Sequence, residues 1–298
     1  MTRHAPSRAS AAVLLIVSLA ACAAPSPAEF QPVASSGVTF TESVPPLLNT
    51  ALSEAIAANS ATLIREHATA TEDARKTALL EANEAYRERA KVFADVSNHA
   101  ALLKSYFVAL EALASTSGDS TIGSEAEGLV NAMGALSPSI GSFEIGGRSV
   151  ASIAGSVAPL IVADLRGEAL ERELRENGDA VVRAIELQRA FLQAVGSDLS
   201  AQLQAQLREQ EFASVIEPYL SDVPLPSDWQ QLRATALQQT PSTAAFAAAA
   251  SAAESLKISF IAAAEGAAPG GEFAQLEQDV ARLAALVQAI TGHSSTAS

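Results

Sequence analysis

Cysteine is nearly absent: one thiol, Cys22, in 298 residues excludes a disulfide framework and any Cys-rich zinc or iron–sulfur centre. Cations are scarce as well. With 19 Lys and Arg against 33 Asp and Glu, a formal charge of −14, the chain lacks the cationic face that displaces counterions from a nucleic acid, so no nucleic-acid partner is expected. Aromatic residues make up only 5%, and there are no sustained alternating runs of Val, Ile, Thr and aromatics, which leaves strands little support. No internal repeat of solenoid period is present. What is there is 49% apolar, 17% charged and rich in alanine. The fold class expected is all-α: an elongated bundle of long antiparallel helices with a Gly/Ala-rich helical hairpin in the middle.

The first residues carry Arg3, His4 and Arg8, followed by an uncharged apolar run from Ala11 to Ala21 that is shorter than the roughly 20 residues a membrane-spanning helix needs. It reads as a secretory signal, residues 1–21. Its end, Leu19-Ala20-Ala21-Cys22, resembles the lipobox of bacterial lipoproteins. That resemblance implies that Leu19, Ala20 and Ala21 are read by the lipoprotein signal peptidase and that Cys22 becomes the lipidated first residue. The alternative is an ordinary signal peptide cleaved at an A-x-A-like site, with Cys22 an incidental thiol. An unpaired thiol sits poorly in an oxidising compartment, and a lipid on its sulfur removes that difficulty. Several acyl chains on one cysteine anchor effectively permanently, where a single chain holds only marginally. In the same family an aspartate after the cysteine commonly retains the protein at the inner membrane. Here that position is Ala23, which implies the outer membrane of a two-membrane host, with the protein facing the periplasm. Loss of residues 1–21 leaves 17 basic against 33 acidic residues, so the formal charge moves from −14 to −16 and anionic lipid surfaces repel the body.

Residues 22–43 contain Pro25, Pro27, Pro32 and Gly37 without periodicity and read as a flexible tether, about 25 Å in reach. The bundle is expected over 44–292, with Ser43 as N-cap ahead of Pro45, and 293–298 as a disordered tail. Between Thr71 and Ser115, Leu79, Ala82, Tyr86, Ala90, Phe93, Val96, Ala100 and Leu103 recur at gaps of three and four, the mark of one long amphipathic helix. Val181 to Leu207 repeats the pattern, an alanine-rich helix covers Ser242–Glu265, and Phe273 to Ile290 forms a closing helix with Gly292 as its stop. Ser124 with Glu127, and Ser227 with Gln230, fit capping boxes.

From Ile122 to Leu165 charge thins out and glycine is frequent, with Pro138, Gly141 and Gly146-Gly147 supplying a turn. The segment 122–165 reads as a helical hairpin. Its uncharged runs, 128–143 and 149–163, fall short of a membrane span, and Pro159 would kink the second half. One possibility is a buried helix pair wrapped by the long helices. The other is a conditional membrane-inserting element, similar in layout only to the apolar head of alpha-helical pore-forming toxins.

Chemistry-bearing residues are sparse. His67 and His99 lie in helical patterns without a second ligand at the i+4 position and read as ordinary helix-surface or partly buried residues, and His293 sits in the polar tail. Gly118-Asp119-Ser120 resembles the opening of the SGNH hydrolases, but no preceding strand or downstream Asp-x-x-His accompanies it, and helix-ending turn chemistry accounts for it. Glu168, Glu171, Arg172, Glu173, Arg175 and Glu176, like Glu84, Arg87, Glu88 and Lys91, mix signs as solvated helix faces do. Trp229 reads as a packing anchor beneath the Pro224–Pro226 turn. No catalytic, cofactor or metal residue is assigned. The function expected is that of a non-enzymatic, lipid-anchored envelope protein, a structural or protein-interaction module in the periplasm. Its partners would be the membrane, through lipid on Cys22, and an unidentified envelope protein or a second copy of the chain. A membrane-active protein inserting 122–165 is the alternative, and an enzyme of unfamiliar type the third. The chain lacks the C-terminal lysine by which the major murein lipoprotein joins peptidoglycan, so that linkage is not expected.

Overall fold

In the computed structural model, which describes residues 30–115, 121–145, 147–162, 168–237, 241–266 and 270–294, the first helix, α1, already begins at Gln31 and runs to Glu66. The expected tether therefore ends by residue 30, and Ser43 is an interior helical residue, not a cap. The reason is tertiary. Phe30, Val33, Phe40, Val44 and Leu47 are fully buried, and burial of a helix face outweighs the weak helix propensity of the Ser, Thr and Gly between them. The hydroxyls that would compete for backbone are satisfied within the helix: Thr41 donates to the Gly37 carbonyl at 2.8 Å and Ser43 to that of Thr39 at 2.9 Å. Pro32 occupies the first turn, where no donor is missed, while Pro45 and Pro46 are accommodated inside.

Helix α2 spans Glu72–Ser115 and α3 Thr121–Ser142. A two-residue antiparallel ladder follows, β1 (Glu144–Ile145) with β2 (Arg148–Ser149), then one turn of helix, α4 (Val150–Ile153), whose cap Ser149 accepts from the Ser152 amide. Helix α5 covers Glu168–Glu211 and continues through a π-helical turn, Phe212–Ile216, into α6 (Glu217–Leu220). Pro218 cannot donate to the carbonyl four residues back, which fits a widened turn just ahead of it. Then come α7 (Trp229–Ala236), α8 (Pro241–Ala264) and α9 (Gly271–Ser294).

The chain is an all-α helical bundle. Around its circumference α1 packs on α2, α2 on α3, α3 on α5, α5 on α8, α8 on α9 and α9 back on α1, with α1 also touching α8 and α5 across the middle. Edge-to-face aromatic contacts tie the layers: Phe260 of α8 meets Phe30 at 6.3 Å and Phe107 of α2 at 6.5 Å, and Phe93 of α2 meets Phe191 of α5 at 5.7 Å. Gly37 allows α1 to approach α2, since a Cβ there would lie 2.5 Å from the Phe107 ring. Helix α8 is the one described helix long and apolar enough to cross a membrane, yet half of that stretch is buried, with Phe246, Leu256 and Phe260 in the core.

Other boundaries differ from the pattern-based ones. The central segment is not a helical hairpin: α3 returns through the small ladder and α4 into an extended strap, Ala154–Val162, lying along α5. Ser124 is interior to α3. Asp228, not Ser227, is the cap of α7, and no side-chain capping bond forms there. Gly292 does not stop α9, which carries residues 293 and 294 of the expected tail in helix.

Candidate functional site

The pairing of helices defines two ends. At the first, Gln31 of α1 donates to Ser115 of α2 at 3.1 Å. At the other, the last turns of α1 meet those of α5 through the Arg65–Glu209 ion pair. With 36 residues at 1.5 Å each, α1 alone separates the ends by about 54 Å. Helix α8 starts opposite the middle of α5, where Phe246 lies against Gly196, so the ends of α1, α2 and α5 continue past it as an arm.

The arm is crowned by an excursion of chain with an apolar surface. Tyr219, Leu220 and Val223 are 65%, 74% and 70% exposed, and Phe212, Ile216 and Leu225 lie in the same stretch. Leu79 and Leu80 of α2 and Ile64 of α1 are exposed at the same end. The excursion is nonetheless shaped. Trp229, half-buried, donates from Nε1 to the Val215 carbonyl at 3.0 Å and stacks on Tyr219 with ring centroids 5.6 Å apart. Trp229 thus pins the turn between α6 and α7 to the π-helical turn, presenting Leu220 and Val223 outward. The sequence reading missed this surface. Its only signal was a run of large apolar residues around three prolines, and periodicity does not report which side lacks a neighbour.

Of the residues singled out from sequence, Leu19, Ala20, Ala21, Cys22 and Gly118-Asp119-Ser120 lie outside the described residues, as does the side chain of His293. His67 is exposed at the end of α1, where its carbonyl accepts from Arg75 at 3.1 Å. His99 is neither a surface nor a partly exposed residue: it is fully buried between α2 and α5, its Nδ1 2.9 Å from the amide nitrogen of Gln188, and burial lowers its pKa to about 4. His67 and His99 are not brought together, and among the described residues no group of three His, Cys, Asp or Glu stands close enough to hold a metal ion.

The mixed-sign faces divide. Arg175 pairs with Glu171 at 2.8 Å and Arg87 with Glu84 at 3.1 Å, all at least partly solvated. Glu173 is instead buried, accepting from Asn177 at 3.0 Å; burial raises its pKa, and burial, with the Glu173 carboxylate as the lesser cause, pushes the Tyr106 phenol well above its ordinary value. A second buried carboxylate, Glu186 of α5, takes hydrogen bonds from Arg189 at 2.6 Å, Lys257 of α8 at 2.8 Å and the Gly155 amide at 3.0 Å. Burial alone would raise its pKa, but these donors outweigh it and bring it to about 2. No protein-family model, curated protein or solved structure matches the chain.

Proposed function

We propose that the chain is a non-enzymatic, lipid-anchored protein of the bacterial cell envelope whose arm docks onto another envelope protein. One observation carries this reading: among the described residues, nine of the fourteen exposed large apolar side chains, from Ile64 to Leu225, gather at the end of the bundle opposite Phe30. An apolar surface held in shape by Trp229 is characteristic of interaction sites, where scattered single residues are ordinary. The lipobox residues Leu19, Ala20, Ala21 and Cys22 precede α1 by eight or more positions. A lipid on Cys22 would fix the Phe30 end near the bilayer and leave the tip about 50 Å further out, facing the periplasm from the outer membrane.

A photo-reactive residue at Leu220 in the native envelope tests the reading. One discrete protein adduct from that position, and none from Val108 on the side of the bundle, is the expected result. Equal labelling from both positions counts against a docking tip. Replacement of Cys22 by Ser is expected to abolish lipid labelling and leave an uncleaved or soluble exported form; labelling that persists would remove the anchor from the proposal.

A further inference from the structure

Away from the tip, α3, α5 and the strap enclose a groove of about 820 Å³, within the range of small-molecule sites. We infer that this groove binds a single-chain anionic amphiphile, a long-chain carboxylate, with its chain along α3 and its head at Arg183. Val130, Met133, Pro138, Val157 and Leu187 give the groove an apolar lining. It runs beside α3 from Val130 to Ser142, about 18 Å, a shape for an extended chain and not for a compact solute.

Two features are unaccounted for by packing. Glycine is disfavoured inside a helix, yet Gly134 faces open space: a Cβ there would meet nothing within 4 Å. What the missing side chain provides is room in the groove. The second feature is charge. Of the two charged residues in the lining, Glu186 is spoken for by Arg189, Lys257 and Gly155, whereas Arg183 makes no ion pair among the described residues. In a chain of formal charge −14, the groove therefore presents an exposed guanidinium with no carboxylate in ion-pair contact at the edge of an apolar trough, complementary to a carboxylate head.

The test is calorimetric titration of the purified soluble chain beginning at Ala23 with laurate, dodecanol and dodecylamine, each below its aggregation concentration. Laurate is expected to saturate one site at least about tenfold more tightly than either uncharged or cationic analogue. Arg183→Gln should bring laurate down to the level of dodecanol and leave dodecanol unchanged. Gly134→Leu should remove binding of both while helical signal and melting temperature are retained. Equal affinity for laurate and dodecanol overturns the assignment of the head to Arg183. Laurate binding that survives Gly134→Leu but is lost in Leu220→Ser would move the ligand to the tip and overturn the groove as its site.

Discussion

A buried imidazole makes stability depend on pH, because the core excludes its charged form. In the unfolded chain His99 titrates near 6.5, whereas in the core it resists protonation down to about 4. The folded state thus holds fewer protons than the unfolded one between those values, and stability falls as pH drops from 6.5 through 4, by about 3 kcal/mol in all. Glu173 acts with the opposite sign, because its raised pKa lets the folded state take up a proton first. Removing the imidazole isolates its part: His99→Leu should flatten the fall in melting temperature between pH 7 and pH 4, and a slope identical to that of the unaltered protein would show that His99 is not shielded. Glu186 behaves in the contrary manner to Glu173. Its depressed pKa contributes stability above the ordinary carboxylate value that is lost as pH falls from about 4.5 to about 2. Glu186→Gln leaves Lys257 and Arg189 half-buried with one carboxylate fewer and should destabilise by about 3 kcal/mol at pH 7, measured by denaturant titration. That loss should shrink toward pH 2, where the native carboxylate is itself protonated.

At the scale of elements, glycines in two helices are expected to respond oppositely to alanine. Gly37→Ala drives a methyl into the Phe107 ring and should cost about 1–3 kcal/mol, while Gly134→Ala meets nothing and should stabilise α3 by up to about 1 kcal/mol. Thermal melts of the two variants decide the matter, and a Gly37→Ala protein as stable as its parent would mean that α1 and α2 are not in close contact there. The same contrast explains what was legible beforehand. Helix α2 was readable because Phe93, Val96, Leu103 and Phe107 form one apolar stripe against polar residues on the other faces. The start of α1 was not, because between Val33, Phe40 and Val44 its core positions are filled by Ala34, Ser36, Gly37 and Thr41, residues whose burial depends on the neighbour and not on their own hydropathy. The strap misled for another reason. Its alanines and valine fit a helix, but the Leu160 amide is taken by Asp179 at 2.6 Å and that of Gly155 by Glu186, while Pro159 withholds a donor, so long-range acceptors hold it extended. The tip depends equally on one residue. Trp229→Ala removes both the bond to Val215 and the stack on Tyr219 and should open residues 217–228 to limited proteolysis without shifting the main melting transition.

For the molecule as a whole, the central question is whether residues 122–165 belong to the core or to a membrane. Ala126, Val130, Met133 and Ile140 of α3 are buried, as are Ile145 and Val150 beyond it, and α3 packs on both α2 and α5. Extracting the segment would uncover Phe191, the neighbour of Phe143, while the acidic surface is repelled by anionic lipid. Apolar area already used inside the bundle is not free to drive insertion. A soluble form should begin at Ala23, which keeps the core residues Phe30, Val33, Ala34 and Gly37 at the start of α1. Mixed with dye-loaded vesicles of zwitterionic or anionic lipid at pH 7, that form is expected to release no dye. Release at pH 7 by a protein whose helical signal is intact would mean that the core contacts of α3 yield to lipid, and the docking proposal would give way to a membrane-active one.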